Sequence, residues 1–425
     1  MPKVILPTLH SGQVDIWNNK SRFNVVCCGR RWGKTKMMVT IAADTALKGF
    51  QAGLFTPEWR QLAEPQTELL DILKPVTKSA SKTEGVIRCT TGGVNDFWVV
   101  NDNPLAGRGR TYKVGFLDEA AFTKPDMIDI WSKSIKPTLL TTRGSFWLFS
   151  TPNGVDPDNF FYRAWHDEEL GFKQFYAPTS TNPYVPLEEL ESLKKTEHPL
   201  VFQQEYEAKF ISWANSTFFR LEYLLENEQP VEPTLKCDGV YAVMDCSVKS
   251  GSEHDATAVV YYAFSKYYGH KLVVLDWEMY SIDAASLEHL APKVIEKCEM
   301  LASTYQARSG SLGLFVEDAA GGSVLIQQAR SRGWPVKALS SRLMSKGKDD
   351  RAFIVGGPVA SGLCKISRYA YEKVVNWKGR SMNHFLHQVT TFRIGDKEAA
   401  KRADDLLDCF TYGVAVALTD YSMMI

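Results

Sequence analysis

The feature that most restricts the fold is a series of short apolar runs, each closing on polar residues, between residues 23 and 155. They are FNVVCC (23–28), AGLFTP (52–57), FWVVN (97–101), KVGFLDEA (113–120) and SFWLFSTP (145–152), separated by polar, helix-like stretches. Runs without an apolar/polar alternation belong to strands covered on both faces, so the spacing predicts an α/β domain with a mainly parallel sheet between helices. Residues 186–213 read as charged and helical.

The chain has 425 residues. Single apolar cores stop growing at roughly 250–300 residues, so two domains are expected. A second block opens abruptly with GVYAVMD (239–245), TAVVYYAF (257–264) and KLVVLDWEMY (271–280), three strands at hairpin-compatible spacing. A helix over 284–306, strand GLFVED (313–318), helix SVLIQQARSRG (323–333), strand PVKAL (335–339) and a closing helix DDLLDCFTYGVAVAL (404–418) follow. Between the blocks, ENEQPVEPTLKCDGV (226–240) carries acids, two prolines and little apolar content. The expected division is 1–215, a linker at 216–238, and 239–425.

Composition narrows the function classes. At 44% hydrophobic and 23% charged residues the chain is globular rather than low-complexity. With 49 basic and 49 acidic residues there is no global charge argument for nucleic acid, although a local basic groove remains open. No run of about 18 apolar residues predicts a membrane span, and the first residues lack a signal-peptide pattern. Eight cysteines without CxxC spacing, two of them adjacent (Cys27, Cys28), suit a reducing compartment.

Residues 28–35, CGRRWGKT, approach the P-loop pattern G-x-x-x-x-G-K-[ST], with Cys28 at the first glycine and Gly29 one place later. The loop follows a strand and precedes a helix. Backbone amides of Gly29, Arg30, Arg31, Trp32 and Gly33 would cradle phosphate, Lys34 would neutralise it, and the Thr35 hydroxyl would ligate Mg²⁺. Asp118 and Glu119 end the strand of VGFLDEA as a Walker B pair, Asp118 toward Mg²⁺ and Glu119 toward the attacking water. Ser150 and Thr151 end the next strand, where a γ-phosphate sensor would sit. Together these strand ends read as an ATPase site. No acid occurs between residues 20 and 36, where Lys20, Arg22, Arg30, Arg31, Lys34 and Lys36 gather. In LAGRGR (105–110), Arg108 or Arg110 would serve as an arginine finger for a neighbouring subunit. Gln13 is a candidate reader of an adenine edge; Trp17 would either stack on the base or pack in the core.

The second block sets acids at three separated segment ends: Asp245, then Glu317 and Asp318, then Asp404, Asp405 and Asp408. A carboxylate at the end of an apolar strand is costly to desolvate without a cation or hydrogen bonds. Converging, these oxygens would hold two Mg²⁺ or Mn²⁺ ions for phosphodiester hydrolysis. Arg342, Lys346, Lys348 and Arg351 read as a Gly-containing surface loop suited to a DNA backbone.

The ordered set CGRRWGKT, FLDEA, FSTPNG, AVMD, FVEDAAGG and DDLLD resembles the large terminase subunit of tailed bacteriophages over nearly the whole chain. The resemblance implies an N-terminal P-loop ATPase of the ASCE type and a C-terminal RNase H-like, mixed-sheet nuclease. It implies ATP with Mg²⁺ at the first site and two Mg²⁺ or Mn²⁺ ions at the second. Lys34 and Thr35 become the Walker A pair, Ser150 and Thr151 a coupling motif, and Asp245, the Glu317/Asp318 position and Asp405 the nuclease ligands, with Asp408 on the same helix face. It also implies double-stranded DNA, a portal protein and a small terminase subunit as partners. The setting it implies is a homo-oligomeric ring acting in the host cytoplasm and transiently at the procapsid vertex, outside the mature virion and away from membranes. A helicase-like or recombination ATPase with a differently used RNase H-like domain is the alternative enzyme reading, and a vertex scaffold the non-enzymatic one.

Overall fold

The computed structural model describes residues 3–101, 103–246, 257–282, 286–318, 321–396 and 403–419. The chain divides into two compact units, Met1–Leu193 with Leu200–Ser212, and Lys194–Pro199 with Trp213–Ile425.

The first unit carries eight strands: β1 (Phe23–Cys28), β2 (Gln51–Thr56), β3 (Thr77–Ser81), β4 (Val86–Cys89), β5 (Val94–Val99), β6 (Val114–Asp118), β7 (Ser145–Ser150) and β8 (Lys173–Ala177). They lie in the order β3-β4-β5-β2-β6-β7-β1-β8. From β5 to β8 every pairing is parallel, and only β4 runs against the rest, antiparallel to both β3 and β5. All five apolar runs are strands, buried on both faces as a parallel sheet requires. β7 lies between β1 and β6, so the P-loop strand and the Asp118 strand flank one intervening strand. Two layers of core cover the sheet, one led by the P-loop helix Lys34–Leu47 and Trp147, the other by Trp131, Phe146 and Phe160.

The second unit has a six-stranded mixed sheet of β9 (Gly239–Asp245), β10 (Thr257–Phe264), β11 (Leu272–Tyr280), β12 (Ser311–Val316), β13 (Val336–Ala338) and β14 (Cys364–Ile366). The order is β13-β12-β9-β10-β11-β14, with β10 antiparallel to both neighbours and the remaining pairs parallel. Helix Leu287–Thr304 packs on one face, among Val240, Ala242 and Met244. The closing helix Asp405–Leu418 packs on the other: the Tyr241 hydroxyl donates to the Gly413 carbonyl at 2.7 Å and that of Tyr262 to the Cys409 carbonyl at 3.0 Å. A Cβ at Gly413 would stand 2.3 Å from the Tyr262 ring, so this approach requires glycine. A small hairpin, β15 (Val375–Trp377) and β16 (Arg380–Met382), completes the strands.

Residues 216–238 are packed within the second unit. Phe218 and Phe219 are fully buried among Phe353, Phe392 and Phe410, and the Val231 amide donates to the Ile366 carbonyl at 2.9 Å. Exposing two adjacent phenylalanines would cost several kcal/mol, roughly 1.5–3 each, which outweighs the acids and prolines that suggested a linker. Residues 342–351 also depart from the expected loop. Gly347 caps a helix, Lys348–Ala360, that carries Lys348 and Arg351. Among the described residues no helix is long and apolar enough to cross a membrane.

Candidate active sites

In the first unit the strand order brings the ends of β1, β7 and β6 side by side. Cys28 is the last residue of β1 and wholly buried, its thiol facing the Ser150 carbonyl at 3.5 Å. The residue that must be small is the next: a Cβ at Gly29 would meet Thr179 Oγ1 at 2.3 Å and the Tyr206 carbonyl at 2.4 Å. That contact accounts for the displaced glycine of the motif. Gly33 turns the loop at φ 102° into the P-loop helix, whose first amides have no side-chain cap and face outward for an anion.

Lys34 Nζ lies 2.6 Å from Glu119 Oε1. Thr35 Oγ1 donates to Asp118 Oδ2 at 3.4 Å, and the Glu119 amide donates to Asp118 Oδ1 at 3.0 Å. Burial lifts the Asp118 carboxyl to about 6, with the Lys34 charge opposing. Glu119 holds φ 50°, a left-handed conformation uncommon for a side-chain-bearing residue and typical of constrained sites. Ser150 and Thr151 are buried, and Ser150 Oγ accepts from the Ala121 amide at 3.1 Å. Ser150 therefore ties the end of β7 to the turn after Glu119.

Three side chains near the expected nucleotide site are engaged within the protein. The Gln13 amide donates to the Gly33 carbonyl at 2.7 Å and accepts from the His10 amide at 2.9 Å, so it braces the loop. Trp32 is buried, its indole N–H on Thr181 Oγ1 at 2.9 Å, and Trp17 stacks on Trp147 in the core. Arg30 and Arg31 are exposed, and Arg30 pairs with Glu205. Arg22 and Lys36 are taken up by the Gly144 carbonyl and by Glu68. Of the two loop arginines, Arg110 sits 3.5 Å from the buried Asp96 and over the Trp98 ring, whereas Arg108 projects between Gly107 and Gly109, both at positive φ.

Sequence reasoning missed the outer brace of this loop. Thr179 Oγ1 donates to the Arg30 carbonyl and Asn182 Nδ2 to the Arg31 carbonyl, both at 2.7 Å, while the Arg30 amide donates to the Glu205 carbonyl at 2.7 Å. These residues follow β8, whose half-exposed KQFYA gives no apolar run to detect.

In the second unit, Asp245 ends β9 and the register Met244↔Val316 sets Glu317 beside it. Asp405 and Asp408 reach the same place from the first turn of the closing helix. Burial, then the charges of Asp408, Asp405 and Glu317, push the Asp245 carboxyl well above the usual carboxylate range, with Lys348 opposing. The structure separates the neighbouring acids. Asp318 is exposed and accepts from Ser323 Oγ at 2.7 Å, outside the group around Asp245. Asp404 pairs with Lys348; Asp408 pairs with Arg351 and lies 3.4 Å from Lys348. Lys348 and the buried Arg351 are thus committed to carboxylates, which removes them from the expected DNA-facing set.

The donor set fits a hard divalent cation: all oxygen, with a buried acid among like charges. The carboxylates are not closed into a cage, since no three His, Cys, Asp or Glu side chains among the described residues are gathered tightly enough to hold an ion as they stand. Ala319 and Ala320 of the FVEDAAGG run lie outside the described residues.

Fold and sites together define a two-part α/β chain, a P-loop ATPase fold with the strand order of a catalytic-glutamate ATPase joined to an RNase H-like fold. No family model matches the chain. It is 26% identical over 335 residues to the large terminase subunit of Thermus virus P23-45, covering 63% of this chain and 68% of the relative. It is 31% identical over 139 residues to that of Thermus phage G20c, covering 29% and 28%. Among solved structures, the large terminase of a thermophilic bacteriophage shares the fold over 97% of this chain and all of its own (TM-score 0.54, 13% identity). The same terminase in complex with ADP matches 96% of this chain and all of its own (TM-score 0.51, 14% identity). In sequence and in fold the chain is thus similar to bacteriophage large terminase subunits.

Proposed function

We propose that this chain is the motor subunit of viral DNA packaging, hydrolysing ATP to move double-stranded DNA into a procapsid and cutting concatemeric DNA to genome length. The observation that carries the reading is the presence, in one chain with the terminase fold, of two separate acidic strand-end sites. One is Asp118–Glu119 beside Lys34, and the other is Asp245 beside Glu317 and Asp405.

At the first site, serving residues 1–215, the loop amides and Lys34 bind the phosphates, and Thr35 with Asp118 would hold Mg²⁺. When bound, the ion would neutralise charge on the transferring phosphoryl group. Lys34, drawn to phosphate, releases Glu119, which then orients the attacking water and takes its proton. Arg108 is assigned as the finger that reaches a neighbouring subunit, with Arg110 as its anchor, and Arg30 and Arg31 stabilise charge at the loop. At the second site, serving residues 239–425, Asp245, Glu317 and Asp405 would hold Mg²⁺ or Mn²⁺, which would supply an activated water for phosphodiester hydrolysis. A portal protein, a small terminase subunit and a ring of identical subunits at the procapsid vertex, formed in the host cytoplasm, complete the assembly.

The test is one incubation with plasmid DNA and Mg²⁺ or Mn²⁺, with and without ATP, scoring phosphate release and DNA breakage in parallel. Lys34→Ala or Glu119→Gln is expected to lower ATP turnover about 100-fold or more and spare ATP-independent cutting. Asp245→Ala is expected to do the reverse. Loss of both activities in either variant contradicts two separate sites.

A further inference from the structure

The closing helix begins in an unusual way. Its N-cap, Asp404, makes no side-chain bond to the helix amides, because its carboxylate is drawn to Lys348. Capping is supplied from another helix: buried Gln388, on helix His384–Thr391, accepts from the Leu406 amide at 2.8 Å and the Leu407 amide at 3.3 Å. Those two donors follow Asp405 directly in the chain. The third aspartate, Asp408, is held by Arg351, itself fixed by the Lys346 carbonyl and the Tyr412 ring. Asp405 stands on the very turn that Gln388 caps.

We propose, resting on the nuclease reading above, that Gln388 is a positioning residue of the carboxylate centre. Its side-chain oxygen replaces the missing cap of the closing helix and thereby sets Asp405 toward Asp245. A helix end without such an acceptor leaves buried amides unpaired and frays within its first turn. A frayed turn would carry Asp405 with it, and residues that support a metal ligand in this way typically govern affinity by 10–100-fold. The same short helix reaches hairpin β15–β16 at its other end, where His384 Nε2 lies 3.0 Å from the Val375 carbonyl and 3.1 Å from that of Arg380. The hairpin, the capping glutamine and Asp405 are thus joined through one rigid element.

The experiment is a Mn²⁺ titration of the full chain, followed by electron paramagnetic resonance, on wild type, Gln388→Ala, Gln388→Glu and Asp245→Ala. Gln388→Ala is expected to bind Mn²⁺ roughly 10-fold more weakly or worse, and Gln388→Glu, which keeps the acceptor oxygen, to return within about 3-fold of wild type. In wild-type protein the Leu406 and Leu407 amides are expected to exchange slowly with deuterium, a readout that needs no variant to fold. Unchanged Mn²⁺ affinity in Gln388→Ala, a glutamate variant no better than alanine, or fast exchange at both amides overturns the proposal. If Asp245→Ala also leaves Mn²⁺ binding untouched, the nuclease reading itself falls; if it abolishes binding while Gln388→Ala does not, only the role of Gln388 falls.

Discussion

Asp245 shows how a single residue can be legible in sequence and still be defined by its surroundings. An aspartate closing an apolar strand announces an expensive charge, and the structure supplies three more carboxylates as company, with Lys348 as the opposing charge. A carboxyl whose folded pKa is raised costs stability above that pKa, and the cost disappears below the unfolded value near 3.9. Asp245→Asn is therefore expected to raise the melting temperature by a few degrees in EDTA at pH 8, with the gap closing as pH falls into the carboxylate range. Added Mn²⁺ should stabilise wild type and not the variant. Melting curves across pH check both signs, and a variant less stable than wild type at pH 8 would show that the cluster is not under charge strain. Gln13 gives the opposite lesson. Its position before the P-loop strand suggested base recognition, yet a buried amide with two backbone partners on its own loop is committed to shape.

At the scale of elements, the P-loop and helix Lys348–Ala360 differ in how far local pattern predicts them. The P-loop is short-range chemistry, a strand, a glycine turn and a Lys-Thr pair, and it folds as read. Its brace does not, because Thr179, Asn182 and Glu205 lie about 150 residues or more further on and meet it only when β8 pairs with β1. Removing that brace tests its role: the double variant Thr179→Ala, Asn182→Ala is expected to raise KM for ATP several-fold with a smaller effect on kcat. Steady-state phosphate release measures this, and an unchanged KM would assign the two bonds to stability alone. Helix Lys348–Ala360 contains Gly356, Gly357 and Pro358, poor helix formers that argue for a loop. Packing overrides propensity. A Cβ at Gly356 would stand 2.8 Å from the Phe218 ring and one at Gly357 2.5 Å from the Thr196 carbonyl. Both glycines permit close approach at the expense of local preference. Placing Lys348 and Arg351 on this helix is what converts an apparent DNA-facing loop into a clamp on Asp404 and Asp408.

For the whole molecule, two cores and two separate acidic sites predict two responses to ligand. Anything that binds only folded protein stabilises it by about 2.7 kcal/mol at a hundredfold excess over Kd, which for a unit of this size is a shift of several degrees. ADP with Mg²⁺ is expected to move one calorimetric transition and Mn²⁺ alone the other, and Lys34→Ala to abolish only the first shift. A single transition moved by both ligands and silenced by Lys34→Ala would refute independent sites.

The amino-acid sequence alone determined the fold class, the strand-end acids Asp118, Glu119 and Asp245, and the Lys34–Thr35 pair, since each rests on periodicity or on neighbours a few residues apart. Only the tertiary structure set Glu317 rather than Asp318 beside Asp245, turned the side chains of Gln13 and Trp32 into braces of the loop, drew residues 216–238 into the second core, and brought Gln388 to the helix that carries Asp405. Those outcomes depend on which distant side chain reaches a buried donor or charge first, and long-range competition for a partner leaves no periodic trace in a linear pattern.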